Sequence, residues 1–393
     1  MGIIMSLLII FSFFLAACGA GSGNNTSNPT GTGGSTTNAT STKITDATPT
    51  PPVILGTQPC PASVSNPTHW DPIIPTKANL SKVESVSCAN LMGKSSLQAL
   101  VNERINGTGS FLNIYVYDNI TSATPKKIFT LQGLEHSDAK ISGYNTITTG
   151  EVDEQSSVNK SVTSNAGLMR DLYREFKWSD SAGTFVPTAF PGIFPDLTRY
   201  QAEADQQQVN QGQQPWKLDA TMSANALAVT LLKWSTSAPA TIVSGGGQHD
   251  TTAVVNVKST HPGAGTIQIT MARLEGNANG GIWIATSITS VGMAITAPEK
   301  LSTLTSPTTV AGKGNAFEGK IGTVTILDHT YTDIGHADAN GAVGNGNTTF
   351  TASVNFTSSF KSGTQEGIVA LYSYSNADGS IAGAVMVKVL LGA

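Results

Sequence analysis

Apolar and polar residues alternate with a period of two near the end of this chain. Phe350, Ala352, Val354 and Phe356 form one such series, and Val385, Val387, Val389 and Leu391 another. Successive side chains of a strand point to opposite sides of a sheet, so this spacing predicts half-buried strands. Ile321–Leu327 and Gly367–Tyr374 read as further strands, with turns at Asn376–Gly379 and through the Gly/Asn stretch from Asp338 to Asn347. About seven short strands separated by turns predict a β-sandwich over 297–393.

Upstream the period changes. Residues 194–296 carry two helical patterns. The first has Asp196 as a candidate N-cap and Leu197, Tyr200, Ala204 and Val209 on one face, and stops at Gly212. In the second, Asp219–Trp234, Ala224, Leu227, Ala228, Leu231 and Leu232 recur at helical spacing. Three strand-like runs follow, Thr252–Lys258, Thr266–Leu274 and Gly281–Ile288, separated by turn sequences. Helices followed by an antiparallel meander predict an α+β domain. This order resembles the nuclear-transport-factor-2-like domains of bacterial envelope proteins.

Residues 58–193 show strands at Phe111–Tyr117 and Lys127–Leu131, and a hairpin from Arg174–Trp178 through a Ser/Asp/Gly turn to Thr184–Val186. Helical periodicity is confined to Leu91–Val101 and Ala166–Tyr173. The expectation is a β-rich α+β domain, and the chain as a whole reads as multidomain and β-rich.

The first residues differ from all of this. An apolar run, Ile3–Leu15, ends in Leu15-Ala16-Ala17-Cys18. It is shorter than the about 20 residues that a membrane span needs. The box resembles the lipobox of bacterial lipoproteins. That resemblance implies a signal peptide over 1–17, a diacylglyceryl group on the Cys18 sulfur, and an outward-facing, lipid-anchored chain on the cell membrane. The competing reading is an uncleaved N-terminal helix, and Met1–Phe14 lacks the Lys or Arg that opens most export signals. Residues 18–57 are mostly Gly, Ser, Thr, Asn and Pro, a composition that cannot fill a core and reads as a flexible tether of roughly 30 Å reach. With Cys18 lipidated, Cys60 and Cys88 remain, and export favours their pairing in a disulfide.

In the C-terminal segment a family resemblance is carried by Ser306-Pro307, Val310–Gly312, Ala316–Gly319, the strand ending at Asp328, Phe350, and Asp378–Ser380. These marks resemble the immunoglobulin-like domain associated with bacterial spore-germination (GerMN) lipoproteins. The resemblance implies an immunoglobulin-like β-sandwich and a link to sporulation or germination. The GerMN domain itself is not recognisable upstream.

Composition narrows the chemistry. Charged residues make up 12 % of 393, and the formal net charge is −4. That balance offers no basic footprint for nucleic acid. Gly314–Lys320 fits the first seven positions of a phosphate-binding loop, but Ile321 stands where Ser or Thr should be and a strand is expected next, which makes Phe317 a core residue of the sandwich. Asp333, Asp338 and Asn340 offer hard oxygen ligands suited to Ca²⁺, although Asp, Asn and Gly are also ordinary loop residues. The histidines show no zinc-like spacing, and no cofactor is implied. Of the five tryptophans, Trp70 in a Pro-rich stretch is the candidate ligand contact. Residues 203–214 read as a solvated, Gln-rich helix face.

Two functions follow. The first is a non-enzymatic, lipid-tethered protein that binds or scaffolds an envelope protein or glycan. The second is a polysaccharide-acting enzyme using carboxylates such as Asp153, Glu154 and Asp171, which requires two carboxyl groups roughly 5–10 Å apart in a cleft.

Overall fold

Strands account for far more of the described chain than helices do, in keeping with its Thr, Val and Ile content. The computed structural model describes residues 53–74, 80–275, 280–342, 346–360 and 362–392. The Cys18 box and the tether up to residue 52 lie outside the described residues.

Two antiparallel four-stranded sheets build the first segment. One contains β1 (Ser81–Ala89), β2 (Gln98–Ile105), β3 (Leu112–Asp118) and β4 (Lys126–Leu134). The other contains β5 (Asp138–Ile141), β6 (Ile147–Glu151), β7 (Leu172–Ser179) and β8 (Thr184–Pro187). The hairpin read at 174–186 is β7–β8. The helices expected at Leu91–Val101 and Ala166–Tyr173 do not form. Gln98–Ile105 is strand β2, and the second stretch holds one 3₁₀ turn, Asn165–Gly167, before β7. The reason for the first miss lies in packing. Ala99 and Val101 enter one core and Leu100 another, so β2 is apolar on both faces and its period of two is hidden.

The first sheet lies between two layers. On one side Val101, Tyr115 and Tyr117 pack with Val64, Trp70 and Ile74 from residues 60–74, which hold the short helix α1 (Ala62–Ser65). On the other side Leu100, Ile114 and Val116 pack with Ile147, Phe176 and Phe185 of the second sheet. Cys60 and Cys88 are joined in a disulfide that ties the N-terminal layer to β1.

The next segment opens with α2 (Arg199–Asn210) and α3 (Ala220–Leu232), followed by β9 (Ala240–Gly245), β10 (Thr252–Lys258), β11 (Thr266–Ala272) and β12 (Ile284–Ser290). Asp219 caps α3 by accepting from the Thr221 and Met222 amides. Asp196 does not cap α2. Thr198 does, accepting from the Gln201 amide, and the buried face is Ala202, Gln206 and Val209. Gln206 therefore corrects the expectation of a wholly solvated Gln-rich face: its amide holds the Gly280 carbonyl and the Ile282 N–H.

The last strands are β13 (Ala294–Ala297), β14 (Thr303–Leu304), β15 (Thr308–Ala316), β16 (Lys320–Leu327), β17 (Asp333–Asn340), β18 (Gly346–Val354), β19 (Thr364–Tyr374) and β20 (Ile381–Gly392). A three-stranded sheet, β13-β15-β18, faces β17-β16-β19-β20 to make the immunoglobulin-like sandwich. The boundary expected at 296/297 thus falls inside a strand of that sandwich. β20 also pairs with β12 at Met386 and Ile288, so one nine-stranded sheet runs from β17 to β9.

Continuity of that sheet places β19 and β20 under cover on both sides. Val369, Leu371, Val385 and Val389 fill the sandwich core, while Ile368, Ala370, Ala384 and Met386 pack on the side of α3. Residues 385–391 are therefore not half-buried strand, as their alternation suggested. Replacing Cys60 and Cys88 together by Ala is expected to lower stability by about 3.5 kcal/mol through freed unfolded-chain entropy. A shift of the denaturant midpoint to lower concentration, with a steeper slope as the unfolded chain opens, checks it.

Candidate functional site

Charged side chains are scarce in this sequence, and most of those that become buried sit at the joints between segments. Lys388 is wholly buried on β20. Its Nζ lies 3.2 Å from Glu366 Oε2 on β19 and donates to the Leu197 carbonyl at 2.6 Å. Glu366 Oε1 accepts from the Phe190 amide at 2.9 Å. Burial pushes the Glu366 carboxyl up to about 7, against the pull of Lys388 and the Phe190 amide. Burial also drives Lys388 below its ordinary value. This pair anchors the connector from the first segment into α2.

Two of the three carboxylates suggested as catalytic, Asp153 and Asp171, are held in similar joints. Asp153 is 3 % exposed; one oxygen accepts from the Gln155 amide and the other from the Ser359 hydroxyl of the C-terminal segment. Asp171 accepts from the Asp153 amide and faces His329 Nε2 at 3.6 Å. Burial would raise the Asp171 carboxyl, but His329 and the Asp153 amide hold it below its usual range. His329 Nδ1 in turn contacts Gln365 Oε1. Glu154 stays exposed beside Glu135, whose carboxyl is raised by partial burial and by Glu154. The three acids do not line a common cleft. Arg174 and Glu151 form a further buried pair, two-pronged, at 2.8 Å on each prong.

A different acidic pair does line a recess. Where the β5–β6 turn meets α2, Lys140, Gly143, Glu203, Gln206, Gln207 and Glu275 surround a volume of about 390 Å³. Glu203 accepts from the Gly143 amide at 2.7 Å and pairs with Lys140 at 3.0 Å. Arg199 bridges Glu175 and Glu275, at 2.8 Å to each, and its guanidinium lies 4.2 Å from the centre of the Tyr144 ring. Burial raises the Glu275 carboxyl to about 7; Arg199 opposes this and Glu203 adds to it. A carboxyl raised in this way, beside a second carboxylate, brings a proton-holding group and a proton acceptor into one recess. Sequence reasoning missed this pair because Glu275 opens a turn sequence and Glu203 stands in the Gln-rich run. Only their meeting across 72 positions makes a site.

The other sequence candidates scatter. Trp70 is fully buried, with Nε1 donating to the Val64 carbonyl, and presents no surface to a ligand. Asp333 pairs with His336 at 3.0 Å and Asp338 with Lys320 at 2.8 Å, while Asn340 ends β17. These three do not converge, and among the described residues no cluster of three or more His, Cys, Asp or Glu is placed to hold a metal. Gly314–Lys320 spans the end of β15, a tight turn and the start of β16, without the helix a phosphate loop requires. Phe317 is not a core residue; it is 53 % exposed at that turn.

Residues 293–380 match the family Gmad2, described as an immunoglobulin-like domain of bacterial spore germination. The match begins at the end of the β12–β13 turn and takes in the sandwich through β19. No curated protein matches the chain.

Because the folded Glu275 carboxyl titrates near 7 and an ordinary one near 4.5, the folded state holds the proton longer. Its stabilising contribution is complete below about 4.5 and is lost as pH rises through 7. Glu275→Gln keeps the acceptor for Arg199 and removes this loss. The variant should gain up to about 3 kcal/mol on the wild type between pH 4.5 and 7.5, read from urea midpoints against pH.

Proposed function

We propose that this chain is an exported lipoprotein, anchored through a diacylglyceryl Cys18, whose role is to bind or scaffold an envelope component without catalysing a reaction. The carrying observation is the use made of its acids. Asp153, Asp171, Glu151 and Glu366 are each engaged in a joint or a buried pair, so these acids serve the fold. The Gmad2 match over the sandwich supports a link to spore germination. The Cys60–Cys88 disulfide supports an oxidising compartment outside the cytoplasm. Among the described residues no helix is long and apolar enough to cross a membrane. A lipid on Cys18 would supply the attachment, with two acyl chains holding far more stably than one. The helices-then-sheet order of the middle segment supports its likeness to nuclear-transport-factor-2-like domains.

A second reading rests on Glu275. A carboxyl near 7 beside Glu203 in a recess suits general acid–base work on a polysaccharide. In this reading Glu275→Gln and Glu203→Gln would each abolish glycan hydrolysis by the purified chain. Hydrolysis lost in both variants would replace the binding role.

The anchor is tested by metabolic labelling with a palmitate analogue and by cell fractionation. The wild type is expected to take up label and sediment with membranes. Cys18→Ala should be unlabelled and released, or retained as uncleaved precursor. Labelling that persists in Cys18→Ala would overturn the anchor.

A further inference from the structure

The β15–β16 hairpin turns on two residues, Glu318 at φ 51° and Gly319 at φ 85°. Phe317 and Lys320 close it with reciprocal backbone hydrogen bonds of 2.9 and 3.0 Å. Two consecutive positive φ values match the twist of the flanking strands, which is why a tight hairpin takes this form. The geometry also puts Phe317 at the rim, outside the sandwich core. Tyr374, at the end of β19, is 43 % exposed and likewise lies outside that core. Both rings line one recess of about 570 Å³, with exposed Asn315 and Asn376 among its walls and Ala316 and Ile321 as its apolar floor. The size is that of a small-ligand site.

We propose that this recess is a glycan-binding site for a short, uncharged stretch of polysaccharide. A pyranose ring has an apolar face of C–H groups that lies well on an aromatic ring. Its rim of hydroxyls needs groups that both donate and accept, which the Asn amides and the Ser373 hydroxyl supply. The cation in the wall, Lys320, is paired with Asp338 at 2.8 Å, and the wall also holds the Glu318 carboxylate, so the recess is not built to select an anion. Among the described residues no helix contributes to its lining either. An extended peptide is the poorer occupant. Peptide strands add to open sheet edges, and β16 and β19, which border the recess, are already paired on both sides. The inference deepens the binding role proposed above and rests on it.

The test uses the full chain in detergent. Binding by calorimetry is measured to chitin hexasaccharide and cellohexaose, both uncharged, and to sugar-free stem peptides. At least one glycan should bind, and Phe317→Ala and Tyr374→Ala should each weaken it about tenfold or more. Tyr374→Phe should retain most of the affinity. Both rings are exposed, so thermal midpoints should stay at the wild-type value, which separates a lost site from a lost fold. Three results overturn the assignment: no glycan bound, glycan affinity indifferent to both Ala variants, or stem peptides alone bound. None of these bears on labelling at Cys18, so failure of the site is distinguishable from failure of the tethered-protein reading.

Discussion

A single ion pair without contact with solvent, Lys388 with Glu366, sits where the chain's segments meet. Removing two charges from water costs several kcal/mol for each ion, and only close pairing with further hydrogen bonds offsets this. Here the further bonds come from one stretch of backbone, the Phe190 amide and the Leu197 carbonyl. The connector between the first segment and α2 therefore takes its path from strands nearly two hundred residues later. The Tyr331 hydroxyl reinforces it by donating to the Ile193 carbonyl at 2.8 Å. Breaking the pair would leave a buried charge and an unpaired backbone group together, and for that reason the joint holds as a unit.

Apolar cores and polar joints divide the work of this fold. The two sheets of the first segment, the α3 layer and the sandwich each bury their own aliphatic cluster. Between the first segment and the rest, ionic and hydrogen-bonded pairs, Arg199 with Glu175, His329 with Asp171, and Ser359 with Asp153, accompany the apolar packing of Phe190 and Ile193 and the stacking of Tyr173 on Tyr200. The polar pairs are directional and demand defined geometry, whereas apolar contact tolerates sliding. They favour one arrangement of segments over another, and they occupy acids that would otherwise be free for chemistry. What remains accessible lies in recesses at the edges, one beside Glu275 and one at the β15–β16 hairpin.

The legible parts of the sequence were those governed by local spacing. The β18 strand, the β7–β8 hairpin and helix α3 follow from periodicity and turn chemistry, and the Cys60–Cys88 disulfide follows from a count of three with one assigned elsewhere. The candidate site was hardly legible. Glu203 and Glu275 lie in unremarkable sequence, and Trp70 was singled out for a conspicuous setting that proved to be interior. Phe317 reads as core in the sequence because it is apolar and a strand is expected next. A turn with two positive φ values instead carried it to the rim.

Sequence by itself determined the strands with clear alternation or turn chemistry, such as β18 and the β7–β8 hairpin, the immunoglobulin-like character of the last segment, and the cysteine pairing, because each depends on neighbours a few residues apart or on simple counting. It could not determine that β19 and β20 are covered on both faces. Alternation reports what one face requires and is silent about what packs on the other. It could not assign the charges either, since Lys388 reaches Leu197 across 191 positions and Asp153 reaches Ser359 across 206. Those partners are chosen when the sheets close, where desolvation leaves each buried charge only the groups that the tertiary fold brings within reach.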